Sequence, residues 1–520
     1  MKKHVEPVQT SLDRVRSVQD VLVKAVRVPG KNTYIDLRFD ASQGMGVGTQ
    51  NGNPLGAGVD YDFALGVRAF VRMANVTGMG FVGQSISLRD LDRLKPLAVK
   101  IKSLSIRRAK LNAVQKAKLK KNRANASTVQ SIAYDEMPAH KDLVEATAKK
   151  PFRELEVQDF LRRVNSLARA MKKQQNIQSA LIQAYAGEGA KFFCNSNGSE
   201  ILQVRPLAES FVYATAQGKG PVDYYATLGA YKGLEAFEGE NEFGVSLEAF
   251  GMDLAKGTSE LSNAPVAPTT SKPVTVVTNP HFNSLMVHEI CGHPSEADRA
   301  LKRETAWAGR AWWYHSPQEN WFGKPVASPL VSVFSDPSLD GYGRYAYDDE
   351  GTKARKVEHI REGVLTDFLN SVDTSFILGA KPNGGMRASS AAVVPLIRMN
   401  NTCFAPGEWN EEELLRDTRE GFYIAGQKIP SIGDTRQNFR ITCWKVYEIK
   451  NGELGQLYRM GGITSDSLDY LKSIDAVGKD FKLYNIPNCG KGTPMQTMKV
   501  GNGAPTMRGL ARVTGGEASL

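Results

Sequence analysis

The chain has 520 residues, of which 41% are hydrophobic and 23% charged, and it carries a net charge of +11. Single hydrophobic cores stop growing at roughly 250–300 residues, so this length predicts two domains and allows three. The composition is that of globular proteins. No window approaches the roughly 18 consecutive apolar residues of a membrane span, so we expect no membrane-spanning helix.

The first elements alternate between helix and strand. Residues 11–28 carry apolar side chains at helical spacing, which predicts an amphipathic helix. Residues 33–38 and 66–72 alternate between apolar and polar side chains, as half-buried strands do. The stretch between these two strands is rich in Gly and Asn, so we expect turns there. A further helix is predicted to begin near Leu88.

A basic segment follows at residues 100–123, which hold ten Lys or Arg and no acidic residue. Composition and periodicity predict a basic helix followed by a mobile segment. One interpretation is a patch for nucleic acid or acidic partners; the other is a solvated insertion, spanning about 97–150. The segment lacks aromatic residues on which bases could stack, and this favours the insertion.

The remainder of the N-terminal half predicts a helix at 155–175, then several strands with a hairpin turn at NSNGSE, then a helix at 241–256. Residues 257–273 combine Gly, Ser, Thr and Ala with three Pro, which is typical of a linker.

These elements predict an α+β protein. We expect an N-terminal mixed α/β domain at 1–256, a linker at 257–273, and a β-rich C-terminal domain at 274–520 that carries the helix with the candidate metal ligands.

That helix follows a short apolar strand, Val274–Thr278. Asn279 is a favourable N-cap residue and Pro280 suits the first helical position. His288 and His293, with Glu289 beside the first of them, lie near the predicted end of this helix.

The two histidines are spaced by five residues, whereas zincin motifs use four. On a regular helix a spacing of five separates two side chains by about 140°. A π-type turn brings such positions nearly together, and Gly292 and Pro294 both permit an irregular backbone there. The spacing is therefore compatible with one shared metal only if the helix is distorted.

A catalytic zinc site commonly has three protein ligands and a water. Candidates for the third ligand close in sequence are Cys291, Glu296 and Asp298. A distant candidate is Cys489, in a loop rich in Pro and Gly that could present a thiolate. Spacing alone does not distinguish among them.

The motif resembles that of a known family. HEICGHPSEADRA is similar to the metal motif of the TldD/PmbA metallopeptidases, and matching signatures are GVRAFVR, NSNGSEILQVRP, YDDEGTKARKVEHIREGVLTDFL with its continuation, and PNCGKGTPMQTMKVGNGAPTMRG. The resemblance covers most of the chain except roughly residues 97–150. It implies Zn²⁺ held by His288, His293 and Cys489, with Glu289 as general base.

The resemblance also implies peptides or unfolded polypeptide segments as substrates, and a homodimer or a heterodimer with a related subunit. One branch of the family lacks the metal motif and serves as a partner subunit. This chain keeps all four motif residues and so resembles the active TldD-like branch. The basic segment departs from the family pattern.

Two other functions stay open: a non-catalytic partner subunit, and a basic nucleic-acid or regulatory binding protein. We expect neither a membrane nor a nucleic-acid partner. Five cysteines without close pairs do not form a disulfide framework, which favours a reducing, cytoplasmic setting.

Several secondary assignments complete the prediction. Tyr314 and His315 are candidate oxyanion donors. The acidic run Asp348, Asp349 and Glu350 is interpreted as a turn and not as a metal site. The remaining cysteines are expected to be small buried apolar residues: Cys194, Cys291, Cys403 and Cys443.

Overall fold

The computed structural model describes residues 10–27, 30, 32–73, 76–121, 134, 137–304, 309–316 and 319–516. In these ranges the α-helices are α1 (Ser11–Val26), α2 (Leu94–Lys121), α3 (Val157–Lys172), α4 (Leu247–Asn263), α5 (Pro280–Val287), α6 (Ala297–Ala300), α7 (Val372–Leu378), α8 (Glu411–Asp417) and α9 (Ser467–Ser473). Helix α4 extends past residue 256, so the first part of the segment predicted as a linker is helical.

The N-terminal half is built on one seven-stranded sheet. Its path runs β3-β2-β1-β5-β6-β4, with β7 also paired to β6, and every pairing except β4–β6 is antiparallel. The strands are β1 (Thr33–Gln50), β2 (Asn53–Met73), β3 (Val76–Ile86), β4 (Lys141–Glu145), β5 (Ile177–Asn195), β6 (Glu200–Gln217) and β7 (Pro221–Ala230).

The glycine-rich stretch predicted as turns is extended instead. β1 and β2 pair from Thr33 to Gln50, with one shift of register between Gly48 and Thr49, and Asn51 and Gly52 form the turn. The glycines serve close packing: a Cβ on Gly44 would lie 2.1 Å from the hydroxyl of Tyr185 on the neighbouring strand. The prediction was wrong because glycine marks close contact as well as turns, and composition does not distinguish the two.

One face of this sheet carries all four long helices. Buried side chains of α1 and α2 pack with one end of β1, β5 and β6, and those of α3 and α4 pack with the other end. On β5, Ala190 and Phe192 pack with α1 and α2, while Ala184 and Ala186 pack with α3 and α4. All four are even-numbered positions of one strand and so point to one side, which places both pairs of helices on the same face. The opposite face is turned toward the C-terminal half.

Helix α2 is the basic helix that the sequence predicts near residues 100–123; its cationic side is exposed and its other side packs on the N-terminal sheet. Its inner side is buried against β2 and β3, with Ile101, Ser105 and Ala109 in the interior. A Cβ on Gly80 of β3 would lie 2.2 Å from the carbonyl oxygen of Ser105, so the helix backbone rests directly on the sheet. The predicted mobile part after Lys121 falls largely outside the described residues.

The C-terminal half contains two larger sheets. One has the order β11-β10-β9-β14-β21-β20; the other follows β15-β8-β22-β18-β16-β17, with β19 paired to β22. β15 also pairs with β16, which closes five of these strands into a ring. The strands are β8 (Val274–Thr278), β9 (Val333–Ser335), β10 (Val357–Arg361), β11 (Val364–Leu365), β12 (Met386–Arg387), β13 (Leu396–Ile397), β14 (Asn401–Phe404), β15 (Glu420–Ile432), β16 (Asn438–Lys450), β17 (Glu453–Tyr458), β18 (Gly461–Asp466), β19 (Ala476–Val477), β20 (Lys482–Lys491), β21 (Gln496–Ala504) and β22 (Met507–Gly515).

Helix α5 lies between these two sheets, in contact with β15 on one side and with β14, β20 and β21 on the other. Phe282, Met286 and Ile290 are fully buried in the core that both sheets share. The α+β fold class, with an α/β N-terminal half and a β-rich C-terminal half around this helix, is confirmed. Among the described residues, no helix has the length and apolar character needed to cross a membrane.

Candidate metal centre and catalytic cavity

The helix that begins at Pro280 changes its winding where the histidines lie. Asn279 caps it, accepting a hydrogen bond from the amide of Phe282 at 2.9 Å. The α-helix ends at Val287, residues His288–Gly292 form a π-helix, and His293–Ser295 form a 3-10 turn. The spacing of five allows a shared metal only on a distorted helix, and this π-type turn supplies that distortion and carries both histidines to one side.

The two imidazoles meet the thiol of Cys489. The ring centroids of His288 and His293 lie 4.7 Å apart, and Cys489 Sγ lies 3.7 Å from His293 Nε2. One ligand atom from each of the three residues falls within 4.8 Å of the others, and all three side chains are buried. Two nitrogens and one sulfur at these separations form the donor set that Zn²⁺ accepts.

Each histidine is held by a hydrogen bond from its other ring nitrogen. His288 Nδ1 donates to Asn502 Oδ1 at 3.1 Å, and the amide of Asn502 is oriented by its own donation to the carbonyl of Thr402. His293 Nδ1 lies 3.1 Å from Glu296 Oε2. Because each Nδ1 atom is engaged in a hydrogen bond, each Nε2 atom is free to bind a metal. Histidines that bind metals are commonly oriented by such a hydrogen bond from the other ring nitrogen.

The alternative third ligands have other partners. The carboxylate of Glu296 also accepts from Arg299 Nε at 2.7 Å, and Asp298 accepts from Lys491 Nζ at 2.7 Å. Cys291 is fully buried among apolar side chains, and burial raises the pKa of its thiol. Of the four candidates left open by the sequence, Cys489 alone joins the histidines in the described cluster.

Cys489 is positioned by an irregular edge of a sheet. The pairing of β20 with β21 shifts register between Ile486 and Cys489, a bulge that turns the thiol toward the histidines. The guanidinium of Arg398 donates to the carbonyl of Cys489 and holds the bulge in place. Burial alone would raise the pKa of this thiol, but His293 and His288 lower it well below its ordinary value, so a thiolate is favoured.

Glu289 lies beside the cluster but points to a different partner. Its Oε2 is 2.5 Å from Arg436 Nη1. Burial would raise the pKa of Glu289, yet the charges of Arg436 and the histidines outweigh burial and lower it. The carboxylate is therefore ionised at neutral pH and can accept a proton.

The cluster opens into a cavity of about 1200 Å³ between the N-terminal sheet and the C-terminal half. Its floor is the glycine-rich end of β1 and β2, and its sides include Tyr185, Phe211 and Tyr224. The residues that line the C-terminal side include the three candidate metal ligands, Glu289 and Arg436. A ligand in this cavity would touch the histidine and cysteine side chains and the sheet at once.

The proposed oxyanion donors lie elsewhere. Tyr314 packs edge-on against Phe322 and Phe368 in the apolar core, and neither Tyr314 nor His315 is among the described residues that line the cavity. The four cysteines outside the cluster are buried and free, as expected.

The acidic run is a turn, as the sequence indicated. Asp348 accepts hydrogen bonds from the amides of Glu350 and Thr352, and Gly351 has a positive φ of 76°. The neighbouring carboxylates, Asp349 and Glu350, form ion pairs with the N-terminal sheet. These ion pairs link the two halves of the molecule.

Asn502 and Arg436 were not singled out by sequence reasoning. Asn502 lies within β21 and Arg436 on the connection between β15 and β16, both far from the histidine motif in the chain and without any local pattern that marks them. Only the packing of β21 and of the β15–β16 connection against the π-helix brings them to the site.

The sequence matches two family models: the PmbA/TldA metallopeptidase central domain over residues 150–257, and the PmbA/TldA metallopeptidase C-terminal domain over residues 271–512. A metalloprotease of Methanothermobacter thermautotrophicus is 31% identical over 63% of this chain and 68% of its own length. A zinc metalloprotease TldD homolog of Saccharolobus solfataricus is 30% identical over 45% of this chain and 49% of its own length.

Solved structures share the fold at low identity. A Thermotoga maritima protein described as a modulator of a DNA gyrase superposes with a TM-score of 0.70 at 18% identity, covering 96% of this chain and 100% of its own. TldE from Thermococcus kodakarensis superposes with a TM-score of 0.67 at 12% identity, over 96% and 100% of the two chains. The family matches and the relatives together establish that the chain belongs to the PmbA/TldD metallopeptidase family.

Proposed function

We propose that the protein is a zinc-dependent peptidase that hydrolyses peptides or unfolded protein segments. The observation that carries the proposal is the convergence of two imidazole nitrogens and a thiolate within 4.8 Å, on the wall of a cavity that Glu289 also lines. Family membership and the zinc metalloprotease name of one relative support the choice of reaction and of metal.

In this proposal His288, His293 and Cys489 hold the ion. A Zn²⁺ ion bound there would supply Lewis acidity and make water a nucleophile at neutral pH. Glu289 accepts the proton of the attacking water and passes it to the leaving amine, which its ionised state permits. Asn502 and Glu296 keep the two imidazoles oriented throughout.

The cavity supports an extended substrate. β3 pairs with β2 only from Phe63 onward, so within the described residues the segment Asn53–Asp62 keeps an open edge beside the cavity. Open strand edges bind extended chains through main-chain hydrogen bonds and tolerate varied side chains. A folded domain would have to open locally before it could reach Glu289.

The test combines metal content with hydrolysis. Purified protein should contain about one zinc per chain, and it should cleave an unfolded test protein. Removal of the metal by a chelator should abolish cleavage, and Zn²⁺ should restore it. Cleavage of one substrate domain should also accelerate along a series of destabilised variants, because the open population rises as folding free energy falls. Equal cleavage rates for stable and unstable variants would reject the proposal that a substrate must be locally unfolded to reach the site.

We further propose that the protein acts as a dimer, either with itself or with a related subunit. The similarity in fold to TldE supports a related subunit as the partner. Light scattering on the purified chain, alone and after co-expression with such a subunit, measures the assembly state directly.

A second candidate function is binding of an anionic partner. The outer side of α2 exposes a group of cations without an intervening acid: Lys100, Arg107, Arg108, Lys110 and Lys118. Binding of DNA or RNA through this face would weaken steeply with salt, since phosphate neutralisation releases counterions. A salt-dependent mobility shift together with absent hydrolysis would replace the peptidase proposal with this one.

A further inference from the structure

A peptidase that adds water to a carbonyl needs a donor for the oxygen that becomes negative. The candidates from sequence, Tyr314 and His315, do not line the cavity within the described chain. Arg436 does, on the same wall as Glu289 and the three ligand residues. Its guanidinium is therefore a cationic group that borders the space in which a substrate would lie.

The backbone of Arg436 is fixed in an uncommon conformation. It has a positive φ of 63°, in the left-handed region that a residue with a side chain rarely occupies. Its amide donates to the carbonyl of Gly433 at 2.8 Å, and its carbonyl accepts from Ser467 Oγ at 2.7 Å. Strain of this kind persists only where the surroundings impose it, and it clusters at active sites.

The guanidinium bonds Glu289 through one nitrogen and has a second, buried nitrogen without a partner in the described chain. Nη1 lies 2.5 Å from Glu289 Oε2, while the buried Nε has no hydrogen-bond partner within the described chain. Buried donors without partners are rare and call for an explanation.

We propose that Arg436 is a further catalytic residue, whose guanidinium donates a hydrogen bond to the carbonyl oxygen of the scissile peptide bond as that oxygen becomes negative. The inference rests on the proposed peptidase function and adds a named group to it. Preorganised donors of this kind stabilise the transition state more than the substrate, so they act on kcat more than on KM.

Charges and bonds balance in this step. The water oxygen forms a bond to the carbonyl carbon, the π electrons of the carbonyl move onto its oxygen, and Glu289 accepts the water proton. When the carbonyl re-forms, the C–N bond breaks and Glu289 delivers the proton to the amine. Arg436 stays protonated throughout, so it changes neither the proton count nor the charge.

The experiment compares Arg436→Gln and Arg436→Lys with the parent enzyme, all loaded with zinc. The expected loss in kcat for Arg436→Gln is about 10²–10³-fold with KM within about threefold, as for removal of one oxyanion donor. Arg436→Lys keeps the charge and should recover part of the loss. Arg508→Gln is the matched control, a largely buried arginine with two ion pairs outside the cavity.

Inhibitor binding supplies a readout that does not depend on turnover. A capped phosphinic alanine peptide presents an anionic oxygen in place of the tetrahedral centre, and its reduced-amide counterpart has no such oxygen. By calorimetry, Arg436→Gln should weaken phosphinate binding by the same factor as kcat and leave reduced-amide binding unchanged. Zinc content should stay at the parent level in both variants.

Three results would overturn the inference. Phosphinate affinity unchanged in Arg436→Gln would show that the guanidinium does not face the oxyanion. Equal weakening of both analogues would show that Arg436 only shapes the cavity. A rise in KM confined to substrates with a free C-terminal carboxylate would make it a carboxylate-binding group instead. Failure of the parent protein to cleave any peptide would reject the proposed function, and phosphinate binding would still decide the role of Arg436.

Discussion

The same face of the N-terminal sheet meets the C-terminal half in two different ways. At one end, Asp36 and Arg68 are buried against the acidic turn, with Arg68 lying 2.8 Å from Asp36 and 3.0 Å from Glu350. At the other end, the face is made of small residues such as Gly46 and Gly48, and it borders the open cavity. Alternation along β1 places both ends on one side of the sheet.

The difference separates buried charges that hold the fold from those that are available to a ligand. At the closed end ion pairs join the two halves, as Lys191 faces Asp349 at 3.0 Å and Arg68 faces Glu350 at 3.0 Å. At the open end the histidines, Cys489 and Glu289 direct atoms into space that a ligand can enter. Both ends contain buried charged groups, but only those at the open end border a cavity that a ligand could enter. The cavity is therefore what distinguishes the candidate site from the closed end.

The largest expected effect is at the open end. His288→Ala, His293→Ala and Cys489→Ala should each lose most of the bound zinc, because three protein ligands are the usual minimum for such a site. Cys291→Ala is the matched control, since this buried thiol lies on the same π-helix outside the cluster. Metal analysis of the purified variants gives the answer. Full zinc content in Cys489→Ala would show that Cys489 is not the third ligand and would leave Cys291, Glu296 and Asp298 as the candidates.

Next in size is the general base. Glu289→Gln preserves shape and removes the proton acceptor, so turnover should fall about 10²–10⁴-fold. Zinc content should not change, because Glu289 bonds to Arg436 and is outside the ligand cluster. Steady-state hydrolysis of a fluorogenic peptide measures the loss. Retained turnover with normal metal would require another base.

Substitutions at the closed end, where Asp36 and Arg68 are buried against the acidic turn, should lower the stability of the protein rather than its rate of hydrolysis. Arg68→Met leaves two buried carboxylates, Asp36 and Glu350, without their cation, and breaking such a pair costs about 3–5 kcal/mol in free energy of unfolding. Lys499→Met is the control, because its pair with Glu209 is partly exposed and should contribute about 1 kcal/mol or less. Urea unfolding of both variants makes the comparison. Equal losses in free energy of unfolding would mean that the buried pairs of Arg68 contribute no more to stability than the partly exposed pair of Lys499.

A smaller effect is expected from the partner of His293. Glu296→Gln keeps a hydrogen-bond acceptor but removes the charge that orients the imidazole, and it should weaken zinc binding about 10–100-fold. Competition with a chromogenic chelator measures the affinity. An unchanged affinity would assign Glu296 to the ion pairs with Arg299 and Lys491 alone.

The smallest effect is expected on the far face of the sheet. Replacing Lys100, Arg107, Lys110 and Lys118 of α2 with Ser should leave hydrolysis of a neutral peptide within a few-fold. These side chains are exposed, and the sheet separates their helix from the cavity. A collapse of turnover on that peptide would connect the helix to the site and contradict the division of the sheet into two faces.

The sequence by itself determined the elements whose causes are local. Periodicity predicted α1 and α3, and the Asn279–Pro280 pair predicted the start of α5. The spacing of five required a distorted helix if the two histidines share a metal, and the π-helix is that distortion. Each depends on residues within one or two turns of each other, and the physics of capping and winding acts at that range. The resemblance to the family added Cys489, which spacing alone left equal to Cys291.

The tertiary structure decided everything that depends on contact across the chain. Gly44 belongs to a strand because Tyr185 from another strand fills the space of its side chain, and no local pattern records that neighbour. Cys489, Asn502 and Arg436 reach the histidines only because a bulged strand and a sheet connection pack against the π-helix. A local sequence pattern fixes how a short segment winds, whereas a site assembled from distant strands depends on how separate elements share one buried core.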